Sequence, residues 1–206
     1  MNKNEKARQE WKNFIDDFWD LIMLNILFFL SCIPVVTYGA ALGALYSSVS
    51  RLREKRSDGG AARMYWAAFK KNFKGVTPMW LIVLAALLLI FFDMTVMNSA
   101  PGLGKYAYYG LLSFVTIVIQ SFATVGIPVI VERETGVKQT VSAALSVLAA
   151  APLRTCLACA LNILPLIVLL LSNKAFVGLF LIWMCFYFSL TELAISGMLK
   201  KKIRNE

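Results

Sequence analysis

Residues 76–97 read VTPMWLIVLAALLLIFFDMTVM, and Asp93 is the one ionisable side chain in that stretch. A hydrocarbon layer about 30 Å thick needs about 20 such residues in a helix. Backbone amides in lipid have no water to bond, so each segment must pair them internally, and helix is the conformation that does so. Working outward, four more segments qualify: about 21–43, 106–131, 150–171 and 175–199. The pattern predicts an all-α, polytopic transmembrane helical bundle of about five crossings with interfacial amphipathic helices. Residues 1–206 read as a single membrane domain.

Composition agrees. Of 206 residues, 59% are hydrophobic and 16% charged, with mean hydropathy +0.67. Soluble domains sit nearer half apolar and a quarter charged. The longest polar stretch, residues 51–75, is too short to fold as a separate soluble domain. Histidine is absent, which removes imidazole acid–base chemistry and His-ligated zinc. No nucleophile–base pair, carboxylate pair, phosphate loop or metal cluster stands out, so neither an enzyme nor a cofactor is expected. Cys32, Cys156, Cys159 and Cys185 lie in apolar runs, and Cys156–Cys159 reads as helix packing rather than a redox site. Residues 1–20 hold five acids, unlike a signal peptide, and the first apolar segment is expected to stay as an anchor.

The charge of +9 sits beside the apolar spans, which argues for anionic lipid headgroups and against nucleic acid. The basic loop 51–75 carries eight Lys/Arg, residues 132–154 three and the tail four, against Lys105 and Lys174 in the short turns. The basic side is expected to be cytoplasmic, at the plasma membrane. Five crossings then put the C-terminus inside and the N-terminus outside. Lys3, Lys6, Arg8 and Lys12 pull the other way. Counting them inside gives nineteen against two, but requires residues 21–50 to enter and return in a hairpin tipped at Pro34. The five-crossing reading is preferred.

Two stretches have amphipathic spacing for helices in the interface plane. One holds Trp11, Phe14, Ile15, Phe18, Trp19 and Ile22. The other holds Trp66, Phe69 and Phe73 with Lys70, Lys71, Asn72 and Lys74. A weak repeat pairs Ile33–Val36 with Ile127–Ile130, and Thr77–Pro78 with Ala151–Pro152.

Ionised groups inside spans are costly and are default functional candidates. Glu192 lies about 12 Å inside the fifth segment at helical rise, and Arg154 is the expected ion-pair partner. A proton- or substrate-binding carboxylate is the alternative. Asp93 is expected at the headgroups or paired with Lys105 or Lys174. Asn25, Gln120 and Asn162 are expected to bond between helices or to line a polar path. Pro34, Pro128 and Pro165 interrupt helical segments. With Thr37 and Gly39, Pro34 marks the best candidate for a broken helix.

Ile33-Pro34-Val35-Val36-Thr37-Tyr38-Gly39-Ala40-Ala41 with Ala44-Leu45-Tyr46, and Phe69-Lys70-Lys71-Asn72-Phe73-Lys74, together resemble two motifs of the YesL family of bacterial membrane proteins. The resemblance implies this fold and a setting beside sugar-uptake and polysaccharide-utilisation systems. It implies no catalytic residues. The expected role is an accessory or regulatory partner of carbohydrate uptake, in contact with sugar-transporter subunits. The alternative is a small solute transporter, possibly a homodimer or other homo-oligomer.

Overall fold

A computed structural model describes residues 3–54, 59–97, 104–171, 173–178 and 186–205. Among them the chain is helical and holds no strand. Helix α1 is Lys3–Ser31, followed by a 3-10 turn at Val35–Thr37 and α2 at Tyr38–Arg53. Then come α3 (Ala61–Met97), α4 (Gly104–Arg133), α5 (Val137–Ala150), α6 (Pro152–Leu171), α7 (Asn173–Gly178) and α8 (Phe188–Asn205).

Helices α3 and α4 run antiparallel in one register. The Lys71 ammonium meets the Glu134 carboxylate at one end, and the Tyr108 hydroxyl donates to Asp93 at the other, 2.7 Å away. Between them the pair packs closely through Gly126, where a Cβ would stand 2.8 Å from Met79 Cε. Pro78 does not break α3. The carbonyl it frees belongs to exposed Lys74, where polar surroundings can satisfy it. The aromatic–basic stretch 66–74 is therefore the first part of α3, and not a separate interfacial helix. Both α3 and α4 are long and apolar enough to cross a membrane. Beyond Trp80 they expose Leu88, Leu89, Phe91, Phe92 and Phe114, each 59–70% accessible. So much apolar surface on one face needs a non-aqueous cover.

The first apolar segment is not a straight crossing. Proline lacks an N–H and forces the preceding residue out of helical geometry, and α1 ends just before Ile33-Pro34. The Thr37 hydroxyl stabilises the bend, lying 2.5 Å from the Ser31 carbonyl and 2.7 Å from the Pro34 carbonyl. From there α2 turns back along α1. Trp19, Asp20, Ile22, Met23 and Ile26 of α1 line one groove with Gly59–Arg63, which follow α2. Gly59 and Gly60 turn the chain into α3 with φ of 87° and 86°, a region open to glycine. The bend itself rests on Trp80, the midpoint of α3, whose indole N–H donates to the Val35 carbonyl at 2.8 Å. Residues 21–43 thus run out to half the length of α3 and turn back.

The second half holds another bend. Residues 139–150 and 152–164 meet at 109°, so α5 and α6 form a broken span or a re-entrant turn. The suggested repeat does not extend to the backbone. Pro34 breaks its helix while Pro128 lies within α4, and Pro152 starts a new helix while Pro78 lies within α3. The membrane-compatible helices number two, or three with the bent pair, among the described residues. Of the expected fifth span, 179–185 lie outside the described residues, as does Cys185; the Phe14 and Pro165 side chains do too.

The buried core forms two clusters. One joins Leu24 and Phe28 of α1 to Leu45 of α2, Val76 and Met79 of α3 and Ile127 of α4. The other joins Tyr46 to Val125, Val129, Val147, Ala158, Ile195 and Leu199.

Gly39 tests the α2–α3 approach, since a Cβ there would stand 2.4 Å from Trp80 Cβ. Gly39→Val is expected to lower stability by about 2 kcal/mol through overpacking. Gly110→Ala, where a Cβ meets nothing within 4 Å, should be neutral or mildly stabilising. Thermal unfolding of the two variants in one detergent makes the comparison.

Candidate functional site

The two sequence motifs meet in space. The Asn72 side-chain amide donates to the Gly43 carbonyl at 3.2 Å, and Tyr38 packs on Trp80 with ring centroids 4.6 Å apart. Asn72 is 7% exposed. It was grouped with the interfacial residues but is the buried link between α2 and α3. Most of its neighbours lie at the surface. Trp66, Phe69 and Phe73 form a ring ladder at 5.6 and 5.8 Å, Trp66 and Phe73 are exposed, and so are Lys70, Lys71 and Lys74.

A buried polar layer lies where α8 crosses α1. A π-turn at 186–187 precedes α8, and such a turn disturbs the regular ladder. The Ser189 N–H there donates to Asn25 Oδ1 at 2.9 Å. The Ser189 hydroxyl lies 3.0 Å from the Leu21 carbonyl. Asn25 thus caps another helix from the side. Asn162 reaches the Thr124 hydroxyl of α4 at 3.4 Å. Gln120 is half-buried, and its backbone carbonyl accepts the Thr124 hydroxyl. One turn beyond Ser189, Glu192 is 3% exposed. Among the described residues no hydrogen bond or ion pair reaches its carboxylate.

Arg154 and Glu192 do not come together. Arg154 is exposed and points to the Met198 carbonyl at 3.5 Å, six residues along α8. Its exposed place lets the guanidinium keep its contact with water, which a buried pairing would forfeit. Asp93 likewise takes the Tyr108 hydroxyl in place of a lysine among the described residues.

The charged groups gather at one end, the base, where the C-termini of α2, α4 and α8 converge. Lys200 Nζ lies 2.8 Å from Glu54 and 3.4 Å from Glu132, and it also meets the Ser50 hydroxyl. Arg133 donates through Nε and Nη2 to the Ile203 carbonyl at 2.8 and 2.6 Å. A cation on the last carbonyls of α8 satisfies orphan acceptors and the helix dipole together. At the rim, the hydrogen bond from Lys71 holds the Glu134 carboxyl below its usual range. Lys200, Glu54, Glu132 and Arg133 were not singled out from the sequence as a cluster. The available signal was an acid–base pair in each of two charged stretches, Arg53-Glu54 and Glu132-Arg133.

Residues 21–94 match the model of a family described as protein of unknown function, DUF624. None of the curated proteins and none of the solved structures compared matches the chain. The matched stretch contains the Pro34 bend, both motifs and the α2–α3 contact.

Lys200→Met should destabilise the protein by about 2 kcal/mol, because Glu132, with 7% of its side chain exposed, loses a cation in a semi-buried place. Adding Glu132→Gln to that variant should recover part of the loss. Chemical unfolding of the single and double variants measures both.

Proposed function

We propose that the chain is a YesL-type protein of the bacterial plasma membrane. Its most apolar helices stand in the bilayer and its base faces the cytoplasm as a docking platform for a carbohydrate-uptake system. The observation that carries this reading is the division of the molecule along α3. One half exposes Leu88, Leu89, Phe91 and Phe92. The other half gathers Arg51, Arg53, Arg63, Lys70, Lys71 and Lys74 on the surface. Lys/Arg excess marks the cytoplasmic side, and an aromatic–basic rim suits the headgroup layer of anionic lipid.

The bend at Pro34 supports a revised topology. With residues 21–50 re-entrant, the remaining four segments cross, and both termini lie on the cytoplasmic side. That arrangement has the nineteen-to-two charge balance and replaces the outside N-terminus of the five-crossing reading. The link to sugar uptake rests on the family resemblance. A second reading, a small transporter in its own right, is favoured by one observation, the buried Glu192, whose carboxylate has no ion-pair partner among the described residues.

Cysteine introduced as Lys3→Cys, in a chain otherwise free of cysteine, tests the topology. It should resist an impermeant maleimide in intact cells and react once the cells are opened. Labelling in intact cells would refute the re-entrant arrangement. For function, co-purification with sugar-transporter subunits and no solute flux in proteoliposomes is the expected result. Flux by the purified protein, abolished by Glu192→Gln, would establish the transporter reading instead.

A further inference from the structure

Glu192 is the most deeply buried acidic side chain among the described residues, at 3% exposure. It sits on the inner face of α8 between Ser189 and Ser196, both fully buried. Helix α8 packs against α1, α2, α4, α5 and α6. The ionisable groups these offer near this level are few. From the bend and α2 they are Cys32, Tyr38 and Tyr46, and Tyr38 lies within electrostatic range of Glu192. From α6 the group is Cys159, and Tyr187 precedes α8. The buried stretch of α4, Ala123–Ile130, and residues 139–150 of α5 contain none. The cations Lys200, Arg154 and Arg133 lie toward the base, where Glu54, Glu132 and main-chain carbonyls engage them, and the Arg53 guanidinium of α2 lies against Gly197, five residues beyond Glu192 toward the same end.

An isolated ionised carboxylate in such a place is far more costly than a neutral acid. A metal cation would need several ligands, and no group of three or more metal-binding side chains converges among the described residues. A single proton requires no further ligand. We infer that Glu192 is a proton-binding site that couples the seating of α8 on the α1–α2 hairpin to pH. With the proton bound, the acid is neutral and α8 packs as found. When the proton leaves, the carboxylate needs water, and α8 loosens from the bend.

The test uses the full-length protein in detergent and dicyclohexylcarbodiimide, an apolar reagent for buried carboxylic acids. The carboxyl oxygen adds to the carbodiimide carbon, the acid proton moves to its nitrogen, and the acyl group migrates to give a stable N-acylurea. Mass spectrometry should find the adduct on Glu192 near neutral pH. The yield should fall about tenfold or more as the pH is raised, because each unit above the titration point cuts the neutral fraction about tenfold. Alongside this, thermal unfolding against pH should show the wild type losing stability with rising pH relative to Glu192→Gln. The glutamine mimics the neutral acid and should fold normally. Identical pH profiles for the two proteins, or failure of Glu192→Gln to fold, would overturn the assignment. An adduct independent of pH would do the same. None of these readouts depends on which solute or partner the protein serves.

Discussion

The contact on which the rest of this structure depends is the one between the Pro34 bend and Trp80. A proline ends α1, the indole N–H takes up the Val35 carbonyl, and Gly39 lets α2 lie against the indole's own Cβ. Backbone polarity sets the constraint. A broken helix inside an apolar region leaves amides and carbonyls that must find partners within the protein. Thr37 takes two carbonyls, Trp80 takes a third, and Asn72 takes that of Gly43. These three side chains make a turn tolerable where a continuous helix would otherwise be required.

From that turn follows the arrangement of the base. Once α2 runs back along α1, its C-terminus arrives beside those of α4 and α8, bringing Glu54 to Lys200. Three helix C-termini in one place create negative potential and unsatisfied carbonyls. Arg133 answers both needs at Ile203, while Lys200 and Arg154 supply positive charge. The arms of α3 and α4 beyond Trp80, which expose Leu88, Leu89, Phe91, Phe92 and Phe114, point away from this end. The ends of the molecule differ in polarity because the hairpin stops halfway.

Much of this was legible in the sequence. The helical class, the membrane-compatible α3 and α4, the break at Pro34 and the roles of Thr37 and Gly39 as part of it all followed from segment length and residue chemistry. The direction of the chain after the break did not. A proline in an apolar run produces a kink, a continuous helix or a reversal depending on what donates to the freed carbonyls. Here that donor is Trp80, more than forty residues away. Pro128 and Pro78 show the same ambiguity, since both remain within intact helices. The Arg154–Glu192 pairing failed for a related reason, because depth along a helix was read without knowing which face each side chain presents. Asn72, embedded among lysines and aromatics, gave no sign that it faces inward.

The central claim is that residues 21–53 reverse direction at Pro34. Spin labels at Met23 and Arg63 measure it directly through their dipolar distance. The two positions line one groove, so the account requires a short separation, well under about 30 Å once label arms are included. A single helix carried straight from residue 23 to residue 53 would be about 45 Å long. A distance distribution centred at that length or beyond would contradict the account.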